Sequence, residues 1–161
     1  EQALSIELQS VTSNKEGTVM LLTDKVNGNC LCGACQVVAA SVNMNVGACH
    51  CDMCRKWSGG PFLSVNCGSK VSFLSAGAIS VFDSSEWAER GFCKQCGTHL
   101  YYRLKSNNHY YVPIGLFNTP KNVVFDHQIF IDSKPCYYAF ENETKKLTGA
   151  EVFAQFADGS E

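Results

Sequence analysis

The chain has 161 residues with 13 basic and 15 acidic side chains, which is one domain's worth of sequence and enough to bury a hydrophobic core without staples. The near-neutral balance, with no run of Lys or Arg, argues against a phosphate-backbone partner, and no apolar stretch reaches the roughly 18 residues that cross a bilayer. Against that ordinary background stand ten cysteines.

Residues 1–26 hold none of them. Leu4, Ile6 and Leu8 alternate with polar neighbours as in a short strand, and Asn14-Lys15-Glu16-Gly17 is a turn signal. This stretch reads as an N-terminal extension ahead of a domain spanning 27–161. Glu1 to Glu7 carries acids and lacks the basic start and apolar run of a secretory signal, so the expected compartment is the cytosol. From Val26 to about Phe140, β-branched and aromatic runs alternate with Gly, Asn and Ser. Strands are predicted at 37–42, 62–65, 71–74, 79–82, 99–103, 110–114 and 123–131. Two short helices are predicted, at Asp52–Ser58 and at Gly149–Phe156, where Val152, Phe153 and Phe156 recur at helical spacing. The expected class is mainly β.

The cysteines fall into three clusters: Cys30-Leu31-Cys32-Gly33-Ala34-Cys35, Cys49-His50-Cys51-Asp52-Met53-Cys54 and Cys93-Lys94-Gln95-Cys96-Gly97. Residues two apart on a strand lie about 6.5 Å apart with side chains fixed by the strand, so Cys30-x-Cys32 and Cys49-x-Cys51 are too close in sequence to pair comfortably within themselves. In a reducing compartment clustered thiols mean metal or redox chemistry. C-x-x-C followed by Gly at 93–97 is a zinc-knuckle turn, which supplies two of the four ligands of a structural site. By spacing, the other two come from either remaining cluster. Cys30-x-Cys32 suits the task, because alternate residues on a strand face one way. Cys49, Cys51 and Cys54 can then share a second metal. Three protein ligands and an open position is the catalytic pattern, whereas a fourth ligand from His50, Cys35 or Cys67 would close the site. His50, between two ligands, is expected to face away. A Cys51–Cys54 redox disulfide is a third reading of the same residues. Cys67 and Cys136 are expected in the core.

The order G-x-C-x-C-G-A, then C-H-C-x-x-C-R-K-x-S-G-x-P-F, then E-R-G-F-C-x-x-C-G-T-x-L-Y-Y-R resembles the glutathione-dependent formaldehyde-activating enzyme family, also called the S-(hydroxymethyl)glutathione synthase or centromere-protein-V-like family. The segment His127 to Pro135 resembles its C-terminal strand, and the likeness covers about residues 27–140. It implies an Mss4-like β-tent of small antiparallel sheets with short helices, stapled by zinc. It also implies two Zn2+ sites: a structural one on Cys30, Cys32, Cys93 and Cys96, and a catalytic one on Cys49, Cys51 and Cys54. The implied activity is carbon–sulfur lyase chemistry, adding a glutathione-like thiol to formaldehyde or a related small aldehyde. The partners are then a small-molecule thiol and an aldehyde, with no nucleic acid or membrane, and the oligomeric state is left open. Arg55, beside the trio, is placed to meet substrate carboxylates, and Trp57 and Phe62 to wall a pocket. Cys35, and Phe117-Asn118 in place of Leu-Asp, depart from the family pattern. The alternative on the same fold is a non-catalytic zinc module that binds partner proteins.

Overall fold

The computed structural model describes residues 25–159 apart from 41, 75, 119 and 120. The strand expected at Leu4 to Leu8, the turn at 14–17 and nearly all of the N-terminal extension lie outside the described residues. In chain order the elements are β1 (Val26–Asn29), β2 (Gln36–Ala39), β3 (Asn45–Cys49), α1 (Asp52–Ser58), β4 (Phe62–Asn66), β5 (Val71–Leu74), β6 (Ile79–Phe82), β7 (Ala88–Cys93), β8 (His99–Leu104), β9 (Tyr110–Pro113), β10 (Val124–Ile129), β11 (Lys145–Leu147) and α2 (Gly149–Ala157). The mainly-β class is borne out, and both helices form where the spacing puts them.

β1, β2 and β5 make a three-stranded antiparallel sheet, and the other strands make an eight-stranded sheet in the order β11-β10-β3-β4-β9-β8-β7-β6. Only β10 runs parallel to its neighbours, β3 and β11. A parallel pair cannot be closed by a tight hairpin, so β10 arrives at β3 from far along the chain. One buried cluster joins the two sheets: Val37 and Ala39 from β2 pack with Val46, Val65, Leu100 and Val112 from the larger sheet.

β3 positions the chemistry. It is central, with β4 on one side and β10 on the other. Its side chains alternate, so Val46 and Ala48 enter the core while Asn45, Gly47 and Cys49 line a cavity on the outer face. Gly47 makes room there: a Cβ on it would sit 2.1 Å from Nε2 of His127 on β10, which would have to swing aside. Pattern reading overlooks β3, because a five-residue strand with glycine at its centre has too few β-branched residues to announce itself.

Candidate metal centres

Two hairpin turns build the first cluster. β1 and β2 are joined through Cys30–Cys35, where the Gly33 amide donates to the Cys30 carbonyl (3.0 Å) and the Cys30 amide to the Cys35 carbonyl (2.9 Å). β7 and β8 are joined by the knuckle, closed by the Gly97 amide donating to the Cys93 carbonyl (2.9 Å). Gly97 has φ 73°, a left-handed conformation that costs any other residue energy. The Leu31 amide donates to Thr98 Oγ1 at 3.1 Å and so ties one turn to the other. Cys30, Cys32, Cys93 and Cys96 thereby bring four sulfurs within 4.8 Å of one another. Cys30–Cys32 is 3.5 Å and Cys32–Cys93 is 3.7 Å, close to the edge of about 3.8 Å of a tetrahedron with 2.3 Å metal–sulfur bonds. The donor set therefore fits zinc. The expectation that Cys30 and Cys32 face the knuckle from a strand is corrected: both lie in the turn after β1, and the turn converges them.

Cys49, Cys51 and Cys54 form the second cluster, their sulfurs also within 4.8 Å of one another. The chain leaves β3 at Cys49 and enters α1 with Cys51 as N-cap, whose sulfur accepts from the Cys54 amide at 3.4 Å. Cap and first turn point the same way, so strand end, cap and helix deliver one sulfur each. Among the described residues no Cys, His, Asp or Glu completes a fourth position. His50 is wholly buried and turned away: Nε2 lies 2.9 Å from Gln128 Oε1 and Nδ1 lies 2.7 Å from the Tyr138 hydroxyl. Gln128 Nε2 in turn donates to Thr144, so its carbonyl takes the His50 Nε2 proton and Tyr138 donates to Nδ1. Burial keeps the imidazole neutral by pushing its pKa down.

Three thiols this close cannot all ionise unaided. Hydrogen bonds from Cys49 and Cys54 pull Cys51 down to about 2, while the same contacts push Cys49 far up. A divalent cation held by the trio would let all three sulfurs lose their protons. A fixed charge stands beside them. Arg90 on β7 is 2% exposed and donates from Nη2 to Cys54 Sγ at 3.5 Å. Its guanidinium lies over the rings of Tyr102 (4.9 Å) and Trp57 (5.7 Å).

Residues 25–133 match the family model described as glutathione-dependent formaldehyde-activating enzyme. The chain belongs to that family. A relative described as an uncharacterized lyase, from Schizosaccharomyces pombe, is 40% identical over 126 residues, which is 78% of this chain and 92% of the relative. A solved structure of a Rhodobacter sphaeroides protein superposes with TM-score 0.51 over 60% of this chain and 91% of its own, at 19% identity, a likeness of fold alone.

The residues flanking the trio in this glutathione-dependent formaldehyde-activating enzyme family member take separate places. Arg55 is held back on its own turn, Nε donating to the His50 carbonyl at 2.9 Å with Asp52 3.7 Å away. Trp57 stacks on Phe82 (6.2 Å) and meets Phe92 (5.7 Å) and His99 (4.9 Å), bridging α1 to the knuckle side. Phe62 pairs with Cys49 across the β3–β4 ladder and lines a cavity of about 650 Å³ together with Cys30, Cys96 and His99. None of the trio lines that cavity. Cys49 instead lines one of about 330 Å³ with Asn45, Ser64, Asn66, Tyr111 and His127. His127 is paired there with Asp126. Cys35 and Cys67 are core residues, Cys35 with its sulfur 3.5 Å from the Ala78 carbonyl, and neither joins a cluster. The expectation that Cys136 is core is corrected: it is exposed in a turn after the Ile131–Ser133 single-turn helix. Arg90 escaped the sequence reading. The signal was present in Ala88-Glu89-Arg90-Gly91-Phe92-Cys93, where a basic residue stands in the strand three positions before the knuckle's first cysteine.

Proposed function

We propose that this protein is a zinc-dependent carbon–sulfur lyase that joins a glutathione-like thiol to formaldehyde or a related small aldehyde, with Cys30, Cys32, Cys93 and Cys96 as the structural site and Cys49, Cys51 and Cys54 as the catalytic one. The observation that supports it is the contrast between the clusters: four converging sulfurs in one, three in the other, with no further protein donor beside the three among the described residues. The lyase name of the yeast relative and the family description point the same way. The cytosol, which keeps such thiols reduced, is the proposed setting.

Zinc held by the trio would supply Lewis acidity that keeps an incoming thiol ionised at neutral pH. The protein's own residues do the rest. The cavity at Cys49 offers amide and hydroxyl groups on Asn45, Ser64, Asn66 and Tyr111, suited to the amides and carboxylates of a peptide-like thiol. His127, held by Asp126, stands in the same cavity as a group able to pass a proton. Addition forms one carbon–sulfur bond, and the carbonyl oxygen takes up a proton equivalent to the one the thiol released. Arg55 and Trp57 on α1, and Phe62 across the ladder from Cys49, are proposed to shape the approach to the trio.

Exchange NMR of glutathione with formaldehyde tests the reading, run without protein, with wild type and with C54S. Exchange accelerated by wild type alone supports it. Equal rates in all three samples end the enzyme reading and leave a zinc-stapled interaction module.

A further inference from the structure

Arg90 is a buried cation without an anion of the usual kind. A charged side chain almost never lies fully buried unless it is paired. Arg90 is 2% exposed and makes no ion pair with a carboxylate among the described residues; the neighbouring Glu89 is engaged by Arg103 at 2.8 Å. What it meets instead is sulfur, Nη2 donating to Cys54 at 3.5 Å. The other prong of the fork, Nη1, is buried and has no hydrogen-bond partner. An arginine prong left unpaired in the interior is costly. Trp57 and Tyr102, lying against the guanidinium on α1 and β8, hold the group in place.

The charge count explains why it is there. Three thiolates around a divalent cation carry one net negative charge, and Arg90 cancels it. An anionic fourth ligand brings the charge back, and Nη1 is the unspent donor next to the site.

We propose that Arg90 is a specificity-determining residue that makes the trio accept an anionic sulfur as fourth ligand in preference to a neutral donor, with Nη1 donating to that sulfur. The inference rests on the reading of the trio as an open metal site and adds to it the reason a thiolate, rather than an uncharged ligand, occupies the open position. The thiol gives up its proton to bulk water on binding. Both the metal's charge and the Arg90 guanidinium would oppose its reprotonation.

The test uses the full chain with both sites loaded with cobalt, whose thiolate charge-transfer and ligand-field bands report what the metal binds without any turnover. Wild type, R90K and R90M are each titrated with 2-mercaptoethanol, which is charged only as a thiolate, and with imidazole, a neutral donor. Loss of a charge-assisted hydrogen bond predicts that either variant binds the thiol about tenfold more weakly, or worse, while its imidazole affinity stays within about twofold. Lysine keeps the charge but has no second prong, so R90K falls between wild type and R90M. Thiol and imidazole affinities that fall together, or neither falling, overturn the assignment. Either variant that folds decides it. If neither folds, the guanidinium 15N resonances of zinc-loaded wild type, assigned through contacts to Trp57 and Tyr102, must move with the thiol and stay put with imidazole; resonances that ignore the thiol overturn it. A wild-type cobalt spectrum unchanged by both ligands has a different meaning: the trio is closed, and the metal-site reading falls along with the proposal.

Discussion

Cys51 shows how one side chain can serve structure and chemistry together. Its sulfur caps α1 by accepting from the Cys54 amide, and contacts with Cys49 and Cys54 hold its thiol below the usual range. Each sulfur in the trio has a different structural origin, so removing one should dismantle that centre and leave the other. C54S is expected to lower the bound metal from two ions to one per chain while the quartet keeps its ion, read by elemental analysis against protein concentration. His50 is the opposite case, a residue with a ligand's chemistry and a scaffold's job. It sits between two clustered cysteines in sequence yet satisfies Gln128 and Tyr138 behind the site. H50L leaves a buried carbonyl and a hydroxyl unpaired and should cost about 2 kcal/mol in chemical denaturation, with both metals still bound. Metal loss in H50L with stability unchanged would contradict this division of roles.

At the scale of elements, the two clusters owe their geometry to turns. Gly97 must adopt a left-handed backbone so that the knuckle's amides and sulfurs face one point. G97A is therefore expected to cost about 1 kcal/mol in thermal unfolding and to speed chelator stripping of the quartet more than of the trio. α2 is fixed independently: Thr148 and Glu151 form a reciprocal capping box, and Phe156 from this helix borders the cavity at Cys49. T148A should destabilise the helix end by about 1 kcal/mol, seen as faster amide exchange in α2 with metal content unchanged. Both helices were legible in the sequence, α2 through the helical spacing of Val152, Phe153 and Phe156, because such spacing is local. β4, β5, β6, β8 and β9 were legible for the same reason, as short β-branched or aromatic runs between turn residues. β1, β3, β7 and β11 were not. β3 is held by its neighbours and has glycine against His127, while Lys145-Lys146-Leu147 is a strand only because β10 offers it an edge.

For the whole molecule, the sequence carried the two cysteine clusters but not the space around them. Thiolate spacing is local chemistry, and the family motif resolves which pairs combine. The long-range packing that sets Arg90 against Cys54, 36 positions apart, leaves no mark at that spacing. The same is true of the cavity, built from β3, β4, β9, β10 and α2, which puts Asn45, Ser64 and Tyr111 around Cys49 while Phe62 opens on the other cavity. The central claim is that one sulfur centre is complete and the other has a place for a substrate thiol. X-ray absorption at the zinc edge tests it most directly, on the two-zinc protein before and after addition of glutathione. Sites of four and three protein sulfurs average about 3.5 sulfurs per zinc alone, rising to about 4 with the thiol bound. A count already at about 4 without thiol, or one that glutathione does not change, contradicts the account.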